Sequence, residues 1–248
     1  MGVFKGNNWR FNEIVFGSNG KTGVAMEGRV LQGIETRLTV SAIVLLWLHG
    51  CSSPKPAPNV SAAIQSLRTE HYQTAIAQLT PLVEAYPDSV RWFRFRGFAS
   101  DNLGHYQAGI ADFTEVLIRQ PGDIASLNNR GYAFYQTNQI GEAVADYNRA
   151  LELDPGFVSA RSNRALALVA LKCYPHALLD INRALAEGAT TNSTLYNLRG
   201  YCLLQLKHPL AAIHAFDRAI SLDAGYADAV NNRIAAYQLL ARNGKRSL

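Results

Sequence analysis

The 248-residue sequence lacks the short motifs that mark common catalytic and nucleotide-binding sites. It contains no His-Glu-x-x-His, no Gly-x-Ser-x-Gly and no glycine-rich loop with the spacing of a phosphate site. Nothing therefore indicates a zinc protease, a serine hydrolase or a nucleotidase. Three of the six histidines, His71, His105 and His208, recur at intervals too long for one shared metal ion, whose bonds to nitrogen are ~2 Å. We predict that the chain is not an enzyme and has no metal and no cofactor.

Concentrated charge is also missing. Lys and Arg number 24 against 19 Asp and Glu, a net charge of +5 that is spread along the chain. Nucleic-acid binding needs a concentrated basic face, so we expect no nucleic-acid partner.

Cysteine is scarce as well. Beyond Cys51 only Cys173 and Cys202 are present, and we expect both to stay free because their positions do not bring them together.

No apolar run is long enough to cross a bilayer as a helix, which takes ~20 residues. A mainly apolar run at residues 38–48 instead fits the core of a secretory signal, ~7–15 residues long. Leu48-His49-Gly50-Cys51 follows and resembles the bacterial lipobox, which implies that Cys51 is acylated. An uncleaved or differently cleaved signal and a buried hydrophobic helix are the alternatives.

The segments before the main domain differ from it in composition. We interpret residues 1–25, rich in Gly and Asn, as untranslated or disordered, with synthesis beginning at Met26. Residues 26–50 form the predicted signal peptide, and residues 51–58 form a lipidated, proline-rich tether. Ser52 after the cysteine resembles outer-membrane lipoproteins. This implies attachment to the outer membrane facing the periplasm.

The remaining chain, residues 59–248, is dominated by a repeat. Arginine recurs in steps of 34, 34, 35 and 34 residues, and aspartate follows the first three arginines sixteen residues later. A period of this length predicts stacked helical hairpins. We expect the arginines and aspartates to pair structurally, with a ligand role for the arginines as the lesser alternative. The arginines are Arg96, Arg130, Arg164, Arg199 and Arg233, and the aspartates are Asp112, Asp146 and Asp180.

The clearest copy of the repeat spans residues 124–157. Small residues at places 8 and 20 of this 34-residue unit would let two helices approach closely, and a proline at place 32 would end the second helix. Its marker residues are Leu127, Gly131, Phe134, Ala143, Tyr147, Ala150 and Pro155. This pattern resembles the tetratricopeptide repeat.

The resemblance implies an all-α, right-handed superhelical solenoid of about five helix-turn-helix repeats with a C-terminal capping helix. The fourth repeat has one extra residue near Gly188. The predicted repeats are residues 56–89, 90–123, 124–157, 158–192 and 193–226, and the cap is residues 227–242.

The resemblance also implies a concave groove lined by places 2, 5, 6, 9, 12 and 13 of each repeat. Asparagines there can hold the backbone of an extended peptide because they both donate and accept hydrogen bonds; the alternative is that they satisfy neighbouring helices or water. The basic and aromatic second repeat suits an acidic or aromatic peptide, with RNA stacking as a minor alternative. The predicted groove residues are Arg91, Arg94, Phe95, Phe98, Asn128, Asn129, Tyr132, Asn163, Asn197, Tyr201, Asn231 and Asn232.

Solenoids generally bind other molecules, so we expect protein or peptide partners and a membrane contact through the lipid. The leading hypothesis is a lipid-anchored adaptor in envelope assembly, serving pilus, secretion or cell-wall enzyme complexes. The alternative is a cytoplasmic, co-chaperone-like module, and an enzyme is a distant third.

Overall fold

Eleven helices make up most of the chain that the computed structural model describes. It describes residues 59–246, with side chains described as far as residue 242. The predicted signal peptide and the whole tether, residues 51–58 with Cys51, lie outside these residues. Within them no strand occurs, and no helix has both the length and the apolar character that a membrane span requires. The helices are α1 (Val60–Arg68), α2 (Tyr72–Ala85), α3 (Val90–Asn102), α4 (Tyr106–Arg119), α5 (Ile124–Gln136), α6 (Ile140–Leu153), α7 (Val158–Ala170), α8 (Tyr174–Ala186), α9 (Ser193–Gln205), α10 (Pro209–Leu222) and α11 (Ala227–Arg246).

Local sequence explains where helices begin and how the hairpins turn. Asn59, Asp123 and Asn192 precede α1, α5 and α9, and each side chain accepts a hydrogen bond from a backbone N–H in the first turn. The turn inside each hairpin contains one residue with positive φ, a conformation that glycine and asparagine tolerate best. These residues are Glu70, Gly104, Asn138, Lys172 and Lys207.

Glycine at place 8 allows the two helices of a hairpin to pack closely. A β-carbon on Gly131 would lie 2.8 Å from Cε1 of Tyr147, and one on Gly200 would lie 2.5 Å from Cε1 of Phe216. Both aromatic residues occupy place 24 and are almost fully buried. The aromatic ring of the second helix therefore rests on the backbone of the first helix.

The apolar core continues from one hairpin to the next. One cluster joins α1, α2 and α3 and extends to Val116 on α4, and the next runs from Leu117 on α4 to Ala167 on α7. Each boundary between hairpins is thus filled by side chains from both. This nearest-neighbour packing is what holds a solenoid together.

The first helices of successive hairpins form the inner layer of the stack. α3 touches α5, α5 touches α7, α7 touches α9 and α9 touches α11. The last helix, α11, packs on α10 with Ala236 buried, while Ile234 and Tyr237 on it are about half exposed. The predicted all-α solenoid of five hairpins and a final helix is confirmed.

Candidate functional site

The arginine and aspartate ladder ties the two helices of a hairpin together. Nε and one terminal nitrogen of Arg130 both donate to the carboxylate of Asp146 at 2.7 Å. Arg96 with Asp112 and Arg164 with Asp180 form the same two-bond pair. Two parallel bonds to one carboxylate fix the guanidinium plane. The ladder is therefore structural in these three hairpins.

Asparagines link successive first helices on the inner layer. Asn163 Nδ2 donates to Asn128 Oδ1 at 3.0 Å, and Asn232 Nδ2 donates to Asn197 Oδ1 at 3.1 Å. Asn197 also donates to the hydroxyl of Tyr226. These four predicted groove residues are therefore bonded to the protein itself, which was the alternative left open by the sequence.

The predicted groove contacts of Asn128 and of one further asparagine, Asn129, need correction. Asn128 is 1% exposed and Asn129 is 7% exposed, because α5 packs between its neighbours α3, α4, α6 and α7. Asn128 also donates to Asn129 Oδ1 at 3.3 Å. Neither side chain exposes more than a small part of its surface to a partner. Asn231 on α11 is exposed, as a free contact residue would be.

The predicted groove position of the two phenylalanines in the second repeat also needs correction. The sequence places Phe95 and Phe98 in the groove, but the structure buries both in the core shared by α1, α2 and α3. The ring of Phe98 meets that of Tyr72 edge-on, with centroids 5.8 Å apart. Burial inside the core removes these two rings from any direct contact with a partner.

The two predicted arginines of the second repeat differ in their freedom. Arg94 forms an ion pair with Asp123, the residue that caps α5. Arg91 is exposed, and its guanidinium lies 4.8 Å from the ring centroid of Trp92 and 5.4 Å from that of Phe95. Arg91 is therefore the predicted basic residue most open to a partner.

Half-buried tyrosines occur at place 9 of the third and fifth repeats. The ring of Tyr132 meets Tyr106 edge-on at 6.1 Å, and Tyr201 meets Tyr174 in the same way at 6.1 Å. Burial is the main cause that raises the pKa of Tyr132 and of Tyr201 above the usual value of a phenol. Both phenols therefore stay protonated at neutral pH and keep a hydrogen to donate.

Three buried polar atoms near the start of α5 have no hydrogen-bond partner among the described residues. They are Arg94 Nε, Asn129 Nδ2 and Ser126 Oγ. A buried polar group without a partner carries a desolvation cost of about 1–3 kcal/mol. The sequence did not single out Ser126, and only the packing of α5 shows that it is fully buried.

A second feature missed from the sequence is a buried carboxyl in the second repeat. Asp101 occupies place 12, where the other four repeats have Leu67, Tyr135, Val169 and Leu204. Its Oδ1 would lie 1.9 Å from a β-carbon at Gly109, where the other repeats have alanine. Burial, and then the nearby charge of Asp112, raises the pKa of Asp101 well above its usual value. The departures from the repeat at Asp101 and Gly109 were the signal in the sequence that could have indicated this buried carboxyl.

Titratable side chains form no candidate metal site in residues 59–242. No group of three or more His, Cys, Asp or Glu residues could hold a metal ion there. The turn histidines His71, His105 and His208 are exposed. Cys173 and Cys202 are both free thiols.

Two family models match parts of the chain. One, described as a TPR repeat, matches residues 131–172, and the other, described as a tetratricopeptide repeat, matches residues 193–226. No curated protein matches the sequence. Together with the stacked hairpins, these matches identify the chain as a tetratricopeptide-repeat protein.

Solved structures share the fold at low sequence identity. A crystal structure of MamA is 14% identical with a TM-score of 0.60, over 66% of this chain and 96% of that one. MamA from Desulfovibrio magneticus RS-1 is 16% identical with a TM-score of 0.61, over 69% and 99%. YrrB, described as a TPR protein with an unusual peptide-binding site, is 15% identical with a TM-score of 0.59, over 68% and 87%.

Proposed function

We propose that this chain is an adaptor that binds an extended segment of a partner protein along its inner layer of helices. The junction between the second and third hairpins is the main contact. The observation that carries the proposal is the pair of unsatisfied buried donors there, Arg94 Nε and Asn129 Nδ2.

The two donors belong to residues whose counterparts meet at other junctions of the repeat. Asn128 and Asn163 are 35 residues apart and hydrogen-bonded, and so are Asn197 and Asn232. Arg94 and Asn129 stand in the same two places of the second and third repeats, also 35 residues apart. At this junction Arg94 stands where the other two junctions have the acceptor asparagine, and Asn129 Nδ2 is left without a bond.

Both donors are buried in the free protein, so binding requires the side chains of Arg94 and Asn129 to turn outward. A backbone carbonyl of an extended peptide would then bond to them and would remove the desolvation cost that the free protein carries. The exposed guanidinium of Arg91 one turn earlier on α3 would favour an acidic residue nearby in the peptide. YrrB, described as a TPR protein with an unusual peptide-binding site, shares the fold, which is consistent with this use of the repeat.

The adaptor is held at the cell envelope by a lipid on Cys51 and faces the periplasm from the outer membrane. The support is in the sequence: the apolar run at residues 38–48 and the lipobox-like Leu48-His49-Gly50-Cys51. Labelled palmitate should enter the protein and should be lost from Cys51→Ser. Equal label in the two proteins would contradict the anchor and leave the binding proposal intact.

The binding proposal is tested by Asn129→Ala. The change removes one of the two unsatisfied donors and also the acceptor of the 3.3 Å bond from Asn128, so it should cost no more than about 1–3 kcal/mol of stability, while capture of the partner by the folded variant should fall several-fold. Asn182→Ala, an exposed change on the second helix α8 and outside the inner layer, is the matched control and should capture the partner normally. Unchanged capture by Asn129→Ala would contradict the proposed junction.

Phe98→Ala is unsuitable for this test, although the sequence placed Phe98 in the groove. The ring is 7% exposed, and truncating a buried phenylalanine costs about 3–5 kcal/mol. Loss of binding in that variant would report unfolding. Arg91→Glu is the better companion to Asn129→Ala because Arg91 is exposed.

A further inference from the structure

The arginine ladder is broken in the fifth repeat. Arg199 occupies the place of Arg130 and Arg164, but the residue sixteen positions later is Ala215 instead of aspartate. Arg199 Nε is buried and has no hydrogen-bond partner among the described residues. Elsewhere on the ladder the corresponding guanidinium holds a carboxylate at 2.7 Å.

The fourth repeat shows what surrounds a ladder arginine on the side of the second helices. Arg161, Arg164 and Arg183 line an open cavity of about 290 Å³ together with Glu152. Every arginine there is compensated. Arg164 pairs with Asp180 at 2.7 Å, and Arg161 and Arg183 both donate to Glu187, at 3.0 and 2.8 Å.

The same surface one repeat later has lost its carboxylates. Its residues at the corresponding places are Tyr196, Arg199 and Arg218, with Ala186 in place of Glu152 and Ala215 in place of Asp180. The guanidinium of Arg218 lies 5.7 Å from the ring centroid of Tyr196, which shows that these places meet here too. Arg218 is exposed, and its one side-chain hydrogen bond in the described chain is to Ser221.

We propose that the surface formed by Tyr196, Arg199 and Arg218 binds carboxylate side chains of an acidic partner segment. Arg199 and Arg218 stand at the places of Arg164 and Arg183, which line one cavity in the fourth repeat, and neither forms an ion pair with a described residue. Guanidinium matches carboxylate geometry with two parallel bonds. The Arg218 guanidinium lies over the ring of Tyr196, and this cation–π contact helps to hold the Arg218 side chain in place. Tyr196 and Arg199 lie on α9 and Arg218 lies on the second helix α10. The site does not depend on the proposed peptide contact between the second and third hairpins.

The test uses the full chain and a six-residue glutamate peptide with blocked ends, with a glutamine peptide of equal length as the uncharged probe. Binding is followed by fluorescence anisotropy and by the NMR signal of the Arg199 Nε–H. The glutamate peptide should shift that signal to saturation, and the glutamine peptide should not. An unshifted signal in the presence of bound glutamate peptide would place that peptide elsewhere and overturn the proposal.

Variants separate the site from general attraction between opposite charges. Ala215→Asp supplies an internal carboxylate and should abolish the shift of the Arg199 signal. Arg218→Ala should weaken binding about three- to fivefold, as the loss of one partly exposed ion pair does. Arg149→Ala removes an exposed arginine from the same place of the third repeat and should bind like the wild type. Equal weakening by Arg149→Ala and Arg218→Ala would overturn the proposal even if Ala215→Asp fails to fold.

Discussion

The structural role of the ladder predicts a large loss of stability on changing Asp146 to alanine. Asp146 accepts two hydrogen bonds at 2.7 Å from Arg130, and the two side chains are only 9% and 20% exposed. Removing one member of a fully buried ion pair costs about 3–5 kcal/mol because the other charge is left unpaired. Arg130 keeps some solvent and a hydrogen bond to Thr114, so we expect a loss of about 2–3 kcal/mol in the free energy of unfolding.

The matched control is Asp217→Ala. Asp217 bonds to Arg233 at the same distance, 2.7 Å, but the two side chains are 45% and 34% exposed. An exposed pair contributes at most about 1 kcal/mol. Urea unfolding followed by circular dichroism should rank the two variants in this order. Adding Arg130→Met to Asp146→Ala should return much of the lost stability, because the unpaired charge is then gone. Equal losses in the two single variants would refute the argument that burial sets the strength of the ladder.

Further predictions concern packing, pH and thiol reactivity. Gly200→Ala should destabilise the protein by about 1–3 kcal/mol because its β-carbon would overlap an aromatic ring. Gly141→Ala, whose β-carbon would have no atom within 4 Å, should stabilise the protein by about 0.4–1 kcal/mol. Thermal unfolding of the two variants compares these effects. The pKa of Asp101 is raised in the folded chain, so wild-type stability should fall as pH rises above the usual value near 3.8. Asp101→Asn should remove this component, which urea unfolding from pH 4 to pH 8 would show; an unchanged slope would contradict it. Burial raises the pKa of Cys202 to about 12, so iodoacetamide should label Cys173 in the folded protein and Cys202 only after unfolding, as peptide mass spectrometry would reveal.

The repeat was predictable from the sequence because it depends on residues that recur at fixed places. Gly131 and Tyr147 are a pair of this kind: a small residue and an aromatic ring must meet at the same point in each hairpin. The fold class follows from such pairs. The paired exchange at Asp101 and Gly109 was equally visible in the sequence, but it becomes meaningful only when the two side chains are seen to share one space.

The candidate site was less predictable because a place in the repeat does not determine exposure. Phe95 and Phe98 fall at groove places, yet both are buried in the core shared by α1, α2 and α3. Asn129 falls at a groove place as well, and its Nδ2 lacks a partner at the junction where Arg94 stands in the place of an asparagine. Which donors remain unsatisfied depends on the contacts between hairpins. The sequence of a single repeat therefore does not reveal them.

Photo-crosslinking from the inner layer tests the central claim most directly. Arg91, exposed on α3, and Arg149, exposed on α6, are each replaced by p-benzoylphenylalanine in the full chain, and adducts are mapped by mass spectrometry after irradiation with the bound partner. We predict an adduct from position 91 that maps to one extended segment of the partner and is lost when Asn129→Ala is added, with none from position 149. Adducts of equal yield from both positions, or an adduct at position 91 that is insensitive to Asn129→Ala, would contradict binding along the inner helices.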